Sequence, residues 1–276
     1  MSPSRLLLAL LSLLPIVHLA GCKQSEAESL AKVQSLIASG APEAARVELK
    51  SLVQAHPKSG EARLLLGLRL LEDGDGTSAA AELQRALEFG VDESKALPAL
   101  AESLLLTGEF ARLTQAYAST RLTDVAAQAR LQAAVAQAEV ALGNPDAART
   151  TIARVLGASP ASPEALLVKA RLSIADKDNA AALAAVEKVL ASHPRRADAW
   201  LLKGELQRRQ PDGRMAAKES FEKAVEAGPN LVPPRLALMS LSMSQGDLAA
   251  AKGQMAELRK RDRKSTRLNS SHATLS

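Results

Sequence analysis

Glycine recurs along this chain at a fixed interval: Gly40, Gly74 and Gly108 stand 34 residues apart, and Gly143 follows after 35. Pro57, Pro160, Pro194 and Pro229 fall on the same ruler, at intervals of 103, 34 and 35. Alanine and leucine dominate between these markers, and the only aromatics are Phe89, Phe110, Tyr117, Trp200 and Phe221. Ala and Leu are strong helix formers, so the chain reads as all-α, with one pair of helices per period. Glycine takes the left-handed turn between two helices that other residues adopt at a cost. Proline cannot continue a helix and ends the second one. A lone hairpin cannot bury its apolar face. Stacked neighbours bury a shared core, and about three or more repeats are needed for stability. An ordinary Ala/Leu bundle would not keep such a register.

Seven units follow: 26–59, 60–93, 94–128, 129–162, 163–196, 197–231 and 232–265. A small residue recurs at position 8 as Gly67, Ala101, Ala136, Ala170 and Gly204. Position 20 carries Ala45, Ala79, Ala148, Ala182, Ala217 (after one inserted residue) and Ala251. Unit three departs most, with Leu113 and Thr120 where alanines are expected. Small residues at these two positions let paired helices approach closely. The pattern resembles the tetratricopeptide (TPR) repeat. That resemblance implies a solenoid, a right-handed superhelix of helix-turn-helix hairpins.

The start of the chain has a different character. Arg5, an apolar stretch from Leu6 to Leu14 and the run Leu19-Ala20-Gly21-Cys22 have the layout of a secretory signal. The last four residues resemble the lipobox of bacterial lipoproteins, in which the cysteine is lipidated and becomes the mature N-terminus. Residues 1–21 are expected to be the signal peptide, 22–28 the lipidated Cys22 with a short polar tether, and 29–262 the array. Pro15 and His18 interrupt the apolar run, which is too short for a membrane-spanning helix. Cys22 is the sole cysteine, so no intramolecular disulfide forms.

Residues 263–276 lack helical periodicity and are rich in Ser, Thr and Asn. They are expected to be disordered, and they resemble translated sequencing-adapter read-through; on that reading the natural chain extends past Asp262 with further repeats. The net charge of +5 suggests a nucleic-acid partner only superficially. With Arg5, Arg263, Lys264 and Arg267 set aside, 31 bases remain against 30 acids, and the longest basic run is Arg259-Lys260-Arg261. The basic stripe expected of a nucleic-acid binder is missing.

Catalytic chemistry is missing from the pattern as well. His56 and His193 each occupy position 31, just before a proline, in units that lie apart; they imply no metal pair. No Ser-His-Asp grouping or phosphate-cradling glycine motif occurs, and adjacent acids such as Glu72-Asp73 and Asp92-Glu93 mark helix ends. The expectation is a protein that is not an enzyme and binds no metal or cofactor.

The TPR resemblance implies that the first helix of each unit lines a concave groove through positions 2, 5, 9, 12 and 13. The groove residues so designated are Leu64, Leu68, Leu71, Glu102, Leu105, Gln137, Leu167, Arg171, Leu201 and Glu205. They form an apolar stripe flanked by mixed charge, suited to an extended peptide or amphipathic helix. The chaperone-tail clamp of some TPR proteins wants Lys at position 5 and Asn at position 9, and neither occurs here.

Leader, lipobox and repeats together resemble bacterial TPR lipoproteins. Ala45-Arg46-Val47-Glu48-Leu49-Lys50, Glu61-Ala62-Arg63-Leu64-Leu65-Leu66-Gly67 and Ala199-Trp200-Leu201-Leu202-Lys203-Gly204-Glu205-Leu206 are similar to the N-terminal part of the PEP-CTERM system TPR-repeat lipoprotein (PrsT) family. That resemblance implies a lipid-anchored periplasmic scaffold for protein–protein interaction in exopolysaccharide or envelope assembly. Lys23 after the cysteine implies the outer membrane. Two alternatives stay open: a component that guides polysaccharide, which the few aromatics disfavour, and the docking arm of an enzyme whose catalytic part lies elsewhere.

Overall fold

The computed structural model describes residues 25–273, with side chains through Lys260. Its fourteen helices fall into two compact units, 1–57 and 58–276. Cys22 and the leader lie outside the described residues.

The first unit holds one hairpin, α1 (Glu26–Ala38) and α2 (Pro42–Ala55). Its interior is Val33, Ala45, Leu49 and Leu52, and Lys32 pairs with Glu48 at 2.8 Å. A capping box starts α1: the Glu28 amide donates to Ser25 Oγ, and the Ser25 amide donates to the Glu28 carboxylate. The helix therefore begins within the stretch 22–28 that is expected to hold the tether.

The second unit holds six hairpins. They are α3 (Gly60–Glu72) with α4 (Gly76–Glu88), α5 (Glu93–Leu106) with α6 (Phe110–Tyr117), and α7 (Val125–Ala141) with α8 (Pro145–Ala158). Then come α9 (Pro163–Ala175) with α10 (Asn179–Ser192), α11 (Ala197–Arg208) with α12 (Arg214–Ala227), and α13 (Val232–Ser244) with α14 (Leu248–Ala273).

Six of the seven turns share one backbone solution. The residue after the C-cap is left-handed, and the next amide donates back to a carbonyl five residues earlier, as in Asp75 to Leu70, Asn144 to Glu139 and Asp247 to Ser242. Glycine fills the left-handed position at 40, 74, 108, 143 and 246. In the fifth hairpin Lys177 does so at φ 63°, the one non-glycine with positive φ among the described residues. The turn between α11 and α12 carries the inserted residue and takes another form. Gly213 starts α12 at φ −79°, where a Cβ would stand 1.8 Å from the Gln207 carbonyl oxygen.

The small residues lie where the helices cross. Ala45, Ala79, Ala148, Ala182 and Ala217 are fully buried, as are Ala101, Ala136 and Ala170. The core is shared between successive hairpins. One cluster joins Leu167 and Ala170 of α9, Val186 and Val189 of α10, and Leu202 and Leu206 of α11. Another joins Ala133 and Ala136 of α7, Ile152 of α8, and Val168 of α9.

Unit three breaks the pattern. With Leu113 buried in place of alanine, α6 is only eight residues long. Asp124 then caps α7, whose first residue, Val125, comes four residues ahead of the expected boundary at 129, and it accepts from the Ala127 amide at 2.6 Å. Glutamines of α7 hold the intervening loop. Gln132 Nε2 donates to the Tyr117 carbonyl at 3.2 Å, Gln128 Nε2 donates to that of Thr120, and the Leu122 amide donates to Gln128 Oε1. The backbone of α14 continues to Ala273, where disorder was expected from residue 263. No glycine or proline follows Gly253 to stop it, and Ser, Thr and Asn each cost a helix only a fraction of a kcal/mol, up to about 0.7.

Candidate binding groove

First helices of neighbouring hairpins set equivalent residues side by side, so repeat positions become rows. Across α5, α7, α9 and α11 these rows enclose a hollow of about 740 Å³. Position 5 supplies a floor of Pro98, Ala133 and Leu167, and position 9 contributes Glu102, Gln137 and Arg171 along one side. Arg130, Glu164 and Asp198 at position 2, with Arg196 just before α11, form the other side. Leu105 and Leu106, at positions 12 and 13, also line the hollow. Pro98 and Ala133 are short, which is why the space opens there.

The charges divide into paired and unpaired groups. Arg196 Nη1 donates to Glu164 Oε1 at 2.9 Å, and its Nε donates to Asp198 Oδ1 at 2.9 Å. Burial works against the charge on Arg196, but Asp198 and then Glu164 more than offset it and hold the guanidinium above its ordinary value. Arg171 is half-buried on α9 and, among the described residues, makes no ion pair or hydrogen bond. Burial pushes it below its ordinary value, while Asp198 and Glu205 pull it back and Arg196 adds to the fall. Water reaches Glu102, yet the concave wall displaces much of its hydration. That desolvation raises its carboxyl, against the opposing pull of Arg130 and Arg196. Glu102 closes no ion pair among the described residues.

Five of the designated groove residues meet in this hollow: Glu102, Leu105, Gln137, Leu167 and Arg171. The other five do not line it. Leu64 is buried in α3, Leu68 and Leu71 are half-buried on the same helix, and Leu201 packs toward Phe221. Glu205 lies outside the lining but within electrostatic reach of Arg171. Position 5 thus serves the core as much as the groove: Leu167 forms part of the floor while only 1% exposed. Arg196 went undesignated because it is the last residue of its unit, outside the groove rows. Its spacing from Asp198, two residues later across the N-cap of α11, is the local signal.

Family models of the tetratricopeptide repeat match residues 36–104, 129–172 and 175–231. The chain is a tetratricopeptide-repeat solenoid. The interval between the first two TPR matches falls over the short α6 and its loop, where the structure is irregular. Similar solved structures include a tetratricopeptide repeat protein from Parabacteroides merdae, at 15% identity over 86% of this chain and 92% of that one, with a TM-score of 0.56. Others are the APC/C hetero-tetramer Cut9-Hcn1, at 17% identity, 85% and 46% coverage and a TM-score of 0.58, and the human IFIT1 dimer with m7Gppp-AAAA, at 16%, 84% and 59% with 0.56. The chain therefore spans about half the length of the last two. At these identities the likeness shows the TPR fold alone. No curated protein matches the sequence.

Such repeats generally bind protein partners rather than catalyse. Among the described residues no cluster of three or more His, Cys, Asp or Glu could hold a metal ion, and no helix is long and apolar enough to cross a membrane. His193 is exposed and His56 half-buried, each at a helix C-cap.

Proposed function

We propose that this chain is a lipid-anchored periplasmic scaffold that holds a protein partner in the hollow across α5, α7, α9 and α11. The hollow itself carries this reading: an apolar floor between two charged rows, with Glu102 and Arg171 unpaired among the described residues, is a surface built for a peptide. Its lining contains no aromatic ring, so the stacking that sugars use is missing and the polysaccharide-guiding alternative loses ground. Anchoring is supported by Leu19-Ala20-Gly21-Cys22 behind an apolar run, and outer-membrane residence by Lys23. Several acyl chains on one cysteine would give durable attachment, since one chain is marginal and each buried methylene adds about 0.8 kcal/mol. The PrsT resemblance supports a role in exopolysaccharide or PEP-CTERM-type envelope assembly, and the separate likeness of residues 263–276 to translated adapter sequence supports read-through there.

Fractionation of cells carrying the chain and its Cys22→Ser variant tests the anchor. The parent is expected in outer membranes and the variant in the soluble periplasm; identical distribution refutes anchoring. Photo-crosslinking from Gln137 tests the scaffold, which requires a defined protein adduct that disappears when the crosslinker is moved to the far side of α8.

A further inference from the structure

The hollow contains six charges, three arginines and three carboxylates, so it favours neither a uniformly acidic nor a uniformly basic ligand. Arg196, Glu164 and Asp198 already satisfy one another. What remains is Arg130 on α7, in the facing row, and Glu102 on α5 and Arg171 on α9, which share a row with Gln137 on α7 between them. Glu102 is exposed and Arg171 half-buried, and neither has a hydrogen-bond or ion-pair partner among the described residues. An opposite charge arriving with a ligand would give each of them the charge-assisted hydrogen bond that it lacks. Arg130 leaves Glu102 available: it is exposed and closes no pair with it. Gln137 offers both a donor and an acceptor, which suits the main chain of an extended segment.

We propose that the hollow reads the polarity of its ligand. It takes an extended segment of a protein partner bearing a basic side chain for Glu102 and an acidic side chain for Arg171, with small apolar side chains between them over Pro98, Ala133 and Leu167. The two complementary charges fix the direction in which the segment lies. This rests on the scaffold reading above and adds the chemistry of the partner.

The test is selection of short random peptides displayed against the purified full chain. Enriched peptides should share one basic and one acidic residue at fixed spacing and in one order. Glu102→Gln and Arg171→Gln should each weaken a selected peptide about tenfold or more. The charge-swapped variant Glu102→Arg with Arg171→Glu should select the opposite order. If circular dichroism shows the swap unfolded, exchanging the two charges within a selected peptide tests the same point on the parent chain and must abolish binding. Peptides that bind the parent and both Gln variants equally, or keep one order on the swapped chain, overturn the inference and leave the scaffold standing. No enrichment, or glycan-array binding in place of peptides, overturns both.

Discussion

Adding one methyl group to Gly204 should destabilise the sixth hairpin, and the damage should trace to a single ring. A Cβ built on Gly204 would stand 2.4 and 2.5 Å from Phe221 Cε1 and Cδ1. Ordinary carbon contacts lie at about 3.5–4.0 Å, so the ring would have to retreat by more than an ångström. It has nowhere to go: Phe221 is 1% exposed, packed among Ala217, Leu238 and Leu241. Overpacking of this kind costs about 1–3 kcal/mol. Against it, replacing glycine by alanine inside a helix returns about 0.5–1 kcal/mol. Gly204→Ala should therefore be net destabilising by up to roughly 2.5 kcal/mol. In a Phe221→Ala background the clashing ring atoms are gone and the same substitution should become stabilising. The coupling between the two sites, about 1–3 kcal/mol, is the signature. Urea unfolding followed by Trp200 fluorescence reads it directly. Trp200 is the chain's lone tryptophan, one helical turn from Gly204, with its indole donating to the Pro194 carbonyl at 2.8 Å. Additive effects of the two substitutions would refute the close-approach argument.

Lysine 177→Gly should raise the melting temperature, because a left-handed lysine costs about 1–2 kcal/mol and the added chain entropy of glycine returns only about 0.4–1 of it; a lower melting temperature refutes this. Glutamate 102→Gln should stabilise the free protein at neutral pH. Burial raises the native carboxyl above its unfolded value, so stability is highest below the unfolded value and falls as pH rises through the native one. Melting scans against pH should show that fall in the parent and a flatter profile in the variant, and a destabilised variant at pH 7 would mean that Arg130 and Arg196 outweigh desolvation. Arginine 196→Ala strands Glu164 and Asp198 in a partly enclosed site and should cost about 1–3 kcal/mol in urea unfolding; a neutral result would show that water already screens both acids.

The sequence was most legible where one residue type has one task. Gly40, Gly74, Gly108 and Gly143 mark turns because each sits at positive φ, and the alanines of position 20 mark crossings because each is buried. Unit three was read as the weakest, yet its repair was not foreseen. Gln128 and Gln132 look like ordinary helix residues, and only the fold brings them beneath the loop that follows α6. The groove was legible as rows but not as individual residues. Leu64 and Leu167 share position 5 and are both buried, yet only Leu167 reaches the hollow. What separates them is the size of their neighbours, Pro98 and Ala133 opening one stretch, and side-chain volume across adjacent units is a three-dimensional property. Arg196 was missed because its partners lie 32 residues back and two ahead, in different hairpins.

The six identical turns carry a consequence for rearrangement of the gene. Each left-handed residue, Gly74 or Lys177 for example, presents the same backbone exit to whatever helix follows. Recombination at these codons would join the first helix of one unit to the second helix of another without altering the joint itself. The crossings between helices are less forgiving, since Gly67 accommodates Leu83 and Gly204 accommodates Phe221, each glycine matched to a large partner within its own hairpin. Crossovers at the turns separate those partners; crossovers between hairpins keep them together. Whole hairpins are therefore the natural unit of exchange along this array, and the joint at 210–213, the one built differently, is where a turn from elsewhere would not fit.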